Sequence, residues 1–164
     1  MDPVDFRDLY ERHAGDVRRF ALYLCGERAR ADDLAAEAFA RAWTSAGELE
    51  TPTVKAYLFR IVRNLVVEGS RRNGRERTIE ASTADARPGP VEAADGRFEL
   101  RAVLAALQRL PESDRAALLM RAQDGMSHEE IAAALELSVA AVRVRIHRAR
   151  LALSTLKIRE ERKP

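Results

Sequence analysis

The 164-residue chain has one cysteine, Cys25, so it can form no disulfide framework of its own and has no C-x-x-C pair for metal or redox chemistry. Its three histidines, His13, His128 and His147, lie far apart in sequence, and no glycine-rich phosphate loop is present. Neither a catalytic nor a metal-ligating constellation follows from such a set. No apolar run approaches the roughly 20 residues of a membrane span, and the first residues are acidic and amphipathic rather than a charged leader before an apolar stretch. These absences predict a cytoplasmic protein that is not an enzyme, holds no cofactor or metal and inserts into no membrane. Lysine is scarce as well: among 28 basic residues only Lys55, Lys157 and Lys163 are not arginine, as in GC-rich coding sequences.

What is present is a segregated charge. The chain carries +2 overall, but residues 1–50 sum to −4, residues 51–78 to +5, residues 79–137 to −5 and residues 138–164 to +6. Two basic blocks separated by acidic ones suit a protein that touches nucleic acid at two places. The second basic block has the stronger pattern. Ser127 and Glu130 make an S-x-x-E capping box, which predicts a helix start. Ile131 and Leu135 share a face, Glu136-Leu137-Ser138 interrupts, and Ser138 is placed to cap a second helix. In that second helix Val142, Ile146, Ala149 and Leu153 form a core stripe. Around it, Arg143, His147 and Arg150 project on one flank and Arg145 and Arg148 on the other, while Val144 and Leu151 point away from the stripe. This is the pattern of a helix-turn-helix whose second helix enters the major groove of DNA.

The remaining elements read as helices. The first spans Asp2-Pro3 to Gly26, with Phe6, Leu9, Tyr10, Val17, Phe20, Ala21 and Leu24 inward and His13 at the core edge. A second, from about Arg30 to Ser45, sets Leu34, Ala38, Phe39, Ala42 and Trp43 in register, and the aromatic Trp43 is expected in the core. A third opens at Thr51-Pro52 or Thr53 and runs into an arginine-rich tail from Arg71 to Arg77. Residues 81–96 are rich in Ala, Asp, Gly and Pro without a usable period, and read as a flexible linker. A helix from about Phe98 to Arg109 and another after Pro111 precede the helix-turn-helix. The expectation is all-α: two small helical domains, 1–78 and 98–164, joined by a linker at 79–97.

The EEIA, L-x-x-S and VRVRIHRAR segments, with Leu110-Pro111-Glu112, Arg115, LLMR and Gly125-Met126-Ser127 ahead of them, resemble region 4 of the bacterial extracytoplasmic-function sigma factors. DDLAAEAFARAW (32–43) and AYLFRIVRNLVVEGSRR (56–72) resemble region 2 of the same family. The resemblance implies contacts to the minus-thirty-five element from Ala140, Ala141, Arg143, Val144, Arg145, His147, Arg148 and Arg150, with Arg145 and Arg150 toward phosphates. It implies minus-ten contacts from Lys55, Tyr57, Arg60, Arg63, Asn64, Arg71 and Arg72, with the loop 47–55 as one wall of a base pocket. Docking on the clamp helices of the RNA polymerase largest subunit is implied for Asp33, Glu37, Phe39 and Arg41, and this accounts for the acids at Asp32, Asp33 and Glu37 better than a metal site does. Further implied partners are the polymerase beta flap, promoter DNA and an anti-sigma factor. The sequence departs from the family at Glu136, where glycine is usual in the turn, at Tyr57, where tryptophan is commoner, and at Val144, commonly small and polar.

Fully extended, the 19 residues 79–97 reach about 63 to 68 Å, close to the roughly 68 Å of two turns of B-DNA. The tether therefore lets each domain take one promoter element, with no fixed orientation expected in the absence of a partner. Two other classes remain open at the level of sequence: a conventional repressor or activator that binds duplex DNA without polymerase, and an adaptor whose basic face is incidental.

Overall fold

The computed structural model describes residues 3–45, 53–77 and 95–161. The described residues form seven α-helices: α1 Pro3–Cys25, α2 Arg28–Thr44, α3 Val54–Arg77, α4 Asp95–Gln108, α5 Glu112–Ala122, α6 His128–Leu135 and α7 Val139–Glu161. The loop 46–52 and most of the linker segment lie outside the described residues, and α4 begins three residues before the expected position.

Local chemistry sets the helix ends. Gly26, at φ +82°, ends α1 in a left-handed conformation and returns its N–H to the Leu22 carbonyl at 2.7 Å. Of the two expected openings of α3, Thr53 lies within the described residues, and its Oγ1 accepts from the Ala56 N–H at 3.1 Å. The first three helices pack on one another around Phe20 and Phe59, whose rings stack at 4.2 Å and 5°. Alanines at 31, 35, 38 and 42 line the buried side of α2, which lets the neighbouring backbones approach closely. Trp43 departs from expectation. It is 40% exposed and packs edge-on against Phe6 at 4.8 Å, because among the described residues no third helix lies over the α1–α2 groove it shares with Phe6, Phe39 and Tyr10.

In the C-terminal half α5 is buried from Asp114 to Met120, and α7 lays Val142, Ile146 and Ala149 against it. The two halves also meet: α1 packs on α4 and α5, and α3 on α6. A defined arrangement therefore replaces the expected absence of one. Its centre is Arg115, 7% exposed, which donates to the carbonyls of Leu24 at 2.5 Å, Leu107 at 2.8 Å and Leu110 at 3.0 Å. Leu24 and Leu107 are the penultimate residues of α1 and α4, so one guanidinium donates to carbonyls at both helix ends, Leu107 O also accepting from Leu110 N–H at 3.1 Å. Gln108 adds a second bond to Leu24 O at 3.1 Å and sits where a Cβ on Gly26 would be, 3.1 Å away, so the missing side chain at that turn admits the approach.

Candidate nucleic-acid interface

The helix-turn-helix forms with the expected hydrogen bonds. Ser127 Oγ accepts from Glu130 N at 3.1 Å while the Glu130 carboxylate accepts from Ser127 N at 2.9 Å, completing the capping box. Ser138 Oγ accepts from Ala141 N at 3.1 Å and starts α7. Between them Glu136 takes φ 56°, ψ 44°, the left-handed conformation that favours glycine.

Along α7, Ala140, Arg143, Val144, His147, Arg148 and Arg150 are exposed and Ala141 is half-buried. Val144 and Leu151 are each 55% exposed, on the side opposite the core stripe. Arg145 is placed differently. Its Nη1 donates to Ser113 Oγ at 2.7 Å and to Asp114 Oδ1 at 3.3 Å, which turns it toward the start of α5 rather than into solvent. Arg148 Nη2 shares the same Asp114 oxygen at 3.1 Å but leaves more than half of its side chain exposed. Asp114 is 3% exposed; a carboxylate so buried requires compensating donors, and the two arginines supply them. Sequence reasoning missed it because an acid near a helix start reads first as a dipole partner.

The seven basic and polar side chains assigned to the minus-ten strand fall on α3 and divide into two groups. Asn64, Arg71 and Arg72 are exposed, and Tyr57 is half-buried. The other three meet acids. Arg63 donates through Nε and Nη2 to the two oxygens of Glu112 at 2.9 and 3.0 Å, a two-pronged pair. Arg60 Nη2 pairs with Glu136 in the helix-turn-helix turn. Lys55 Nζ lies 2.8 Å from Asp16 and 4.0 Å from Asp124. Arg19 reaches the same Asp124 oxygen at 3.2 Å. Burial pushes the Asp124 carboxyl up, against the pull of Arg19 and Lys55, whereas the Lys55 hydrogen bond holds Asp16 low. Glu112, Asp124 and Glu136 were not singled out as partners of these cations. The signal was the −5 block at 79–137 facing the +5 block at 51–78.

Asp33, Glu37 and Arg41 are exposed and line a groove between α2 and α3 with Arg30, Glu68 and Arg72. Arg41 Nε donates to Glu37 at 3.1 Å. Phe39 departs from its expected role as a surface contact: it is 4% exposed, with its ring against Phe6 and Tyr10. Among the described residues no three His, Cys, Asp or Glu side chains gather as a metal site, and no helix is long and apolar enough to cross a membrane.

The family model "Sigma-70 region 2" matches residues 9–76, and "Sigma-70, region 4" matches residues 100–153. Two helical units in this order, the second carrying an arginine-rich helix-turn-helix, define the chain as an RNA polymerase sigma factor of the sigma-70 type, a DNA-binding factor of promoter-specific transcription initiation. Within that class it belongs to the ECF sigma factors. It is 34% identical over 147 residues to ECF RNA polymerase sigma factor EcfG of Rhodopseudomonas palustris, covering 85% of this chain and 78% of EcfG. It is 33% identical over 156 residues to ECF sigma factor SigL of Mycobacterium tuberculosis, covering 90% of this chain and 85% of SigL. SigE of Mycolicibacterium smegmatis is 38% identical over 149 residues, 87% of this chain but 58% of SigE. Among solved structures, the sigma factor RpoE in complex with the anti-sigma factor NepR from Bartonella quintana superposes with a TM-score of 0.75 at 26% identity, over 93% of this chain and 96% of RpoE. CnrH in complex with the cytosolic domain of CnrY gives 0.72 at 29% identity, over 94% of this chain and 88% of CnrH.

Proposed function

We propose that this sigma factor acts in the cytoplasm by binding core RNA polymerase, without an enzymatic activity of its own, and that its two helical units (1–78 and 98–164, joined by 79–97) divide the promoter between them. The C-terminal unit reads the minus-thirty-five duplex and the N-terminal unit melts and holds the minus-ten strand. One observation carries the reading most directly: the exposed row Arg143, Val144, His147, Arg148 and Arg150 on a helix seated behind a three-residue turn. Arginines on such a row pair with guanine N7 and O6, and an exposed valine among them suits a thymine methyl. Arg145, held by Ser113 and Asp114, supports this face from behind, and Asp114 aims Arg148 across it.

Asp33, Glu37 and Arg41 form an exposed charged edge of α2 suited to the polymerase clamp helices, and the beta flap is the natural partner of the C-terminal unit. RpoE was solved with the anti-sigma factor NepR and CnrH with the cytosolic domain of CnrY, which supports a cognate anti-sigma factor for this chain.

Run-off transcription with purified core enzyme tests the assignment. The wild-type chain is expected to direct initiation from its promoter. The Arg143→Ala/Arg148→Ala variant is expected to lose at least about tenfold in promoter preference, from roughly 1 to 3 kcal/mol per lost base pair contact, while still co-purifying with core. Unchanged preference in that variant would remove α7 from the reading.

A further inference from the structure

We infer that in the free chain the acids Glu112 and Glu136 of the C-terminal half form a counter-face that closes the minus-ten surface of the N-terminal half while leaving the minus-thirty-five face presented. The inference rests on the proposed assignment of Lys55, Arg60 and Arg63 to the minus-ten strand.

Two of these three cations pair with an acid of the other half, Arg63 with Glu112 and Arg60 with Glu136, whereas Lys55 pairs with Asp16 of its own half at 2.8 Å and lies 4.0 Å from Asp124. The partners are 49 residues apart for Arg63 and Glu112 and 76 apart for Arg60 and Glu136, so only the packing of the two halves brings them together. The geometry is that of nucleic-acid binding. Two parallel N–H donors of Arg63 reach two carboxylate oxygens as they would reach two oxygens of a phosphate. An incoming strand must therefore displace two carboxylates and overcome their negative charge.

Glu136 carries a second, independent mark of the arrangement. It is the one non-glycine residue with positive φ among the described residues, at a turn position where glycine would relieve the strain. What glutamate brings there is a carboxylate within reach of Arg60. The closure is also one-sided. Arg143, Val144, His147 and Arg150 are exposed while the halves are together, whereas Arg60 and Arg63 are half-buried against the C-terminal half. Asn64, Arg71 and Arg72 remain exposed farther along α3, so a single strand meets an incomplete site. A binder that separates the halves, as polymerase docking on both would, releases Arg60 and Arg63 at the moment the second DNA element has to be captured.

The experiment uses the full chain and two readouts. Solution scattering measures whether the halves are together: a compact chain of 164 residues has a radius of gyration of about 15 Å. Fluorescence anisotropy with a labelled short DNA single strand of mixed sequence measures access to the basic surface. Wild type is expected to be compact and to bind the strand weakly. Glu112→Arg/Glu136→Arg is expected to expand, and Arg63→Glu/Glu112→Arg, which restores the attraction with the signs exchanged, to be compact again, which separates latch loss from misfolding.

Strand binding is read on Glu112→Gln/Glu136→Gln, which adds no positive side chain. It is expected to tighten about tenfold, since apparent affinity scales with the fraction of open chain, and to fall back when Arg60→Ala/Arg63→Ala is added. Glu99→Gln/Glu129→Gln, with the same change of net charge at exposed acids away from the contact, should bind as wild type does. If neither charge variant expands nor binds more tightly, the latch is wrong and the minus-ten assignment stands. If the chain expands without tighter binding, the assignment of Arg60 and Arg63 to the strand is wrong, and the proposal falls with it.

Discussion

Replacing Arg115 by alanine is expected to lower the stability of the chain by about 3 kcal/mol, because one truncation removes three buried hydrogen bonds at about 1 kcal/mol each. The affected acceptors are Leu24 O, Leu107 O and Leu110 O, which belong to the ends of α1 and α4 and to the turn before α5. At this chain length that corresponds to a fall in Tm of about 6 to 12 °C, measurable by calorimetry. Arg115→Lys should recover less than half of the loss: an ammonium keeps the charge but cannot spread three donors across a planar fork. Burial already disfavours the charged form of Arg115, partly offset by Glu112, so the side chain is retained for its hydrogen bonds rather than for a salt bridge. An alanine variant as stable as wild type would show that water reaches these carbonyls as readily as the guanidinium does.

The second large effect concerns DNA. Arg60→Ala/Arg63→Ala is expected to reduce open-complex formation on the order of a hundredfold, from about 1.5 kcal/mol for each charge-assisted contact removed. Permanganate reactivity of unpaired thymines in the minus-ten element provides the measurement. Binding to the minus-thirty-five duplex in the polymerase complex should be retained, because α7 is untouched. Melting at the wild-type level would instead place strand capture on Lys55, Tyr57, Asn64, Arg71 and Arg72. The two arginines thus answer to two competing acceptors, and their removal weakens both.

The sequence was most informative where a hydrogen bond joins residues three or four apart. The capping box at Ser127 and Glu130, the cap at Ser138 and the left-handed position of Glu136 were all legible, since backbone donors at a helix start and a broken helix end have few ways to be satisfied. The face of α7 was equally legible, because a stripe of Val142, Ile146 and Ala149 fixes where every other side chain of that helix points. Trp43 was misjudged, whereas Phe39 was set in the apolar register by periodicity and given a surface contact only by the resemblance. Periodicity names the apolar face of α2 but not how far the neighbouring helix covers it, and α1 covers Phe39 while leaving Trp43 at the rim. The docking of the halves was written only in the block charges. Alternating −4, +5, −5 and +6 segments were read as two separate DNA faces, yet complementary neighbours can also bind each other. Charge sums cannot choose between an internal partner and an external one; distances across the contact can.

The burial of Cys25 gives the molecule a clock. Its thiol is pushed up by burial and held to Glu27 O at 3.3 Å, one residue beyond the Leu24 carbonyl that Arg115 and Gln108 grip from the other half. A thiol that must become exposed and ionised before it reacts is modified at a rate proportional to the population of opened chain. Reaction with an excess of thiol reagent is therefore expected to be slow and first-order for wild type, and faster in Arg115→Ala in proportion to the stability lost. Equal rates in the two chains would mean that Cys25 is reached without parting the halves. With one cysteine in the sequence the signal needs no engineered label, and a single time course reports the fraction of time that the closed protein spends open.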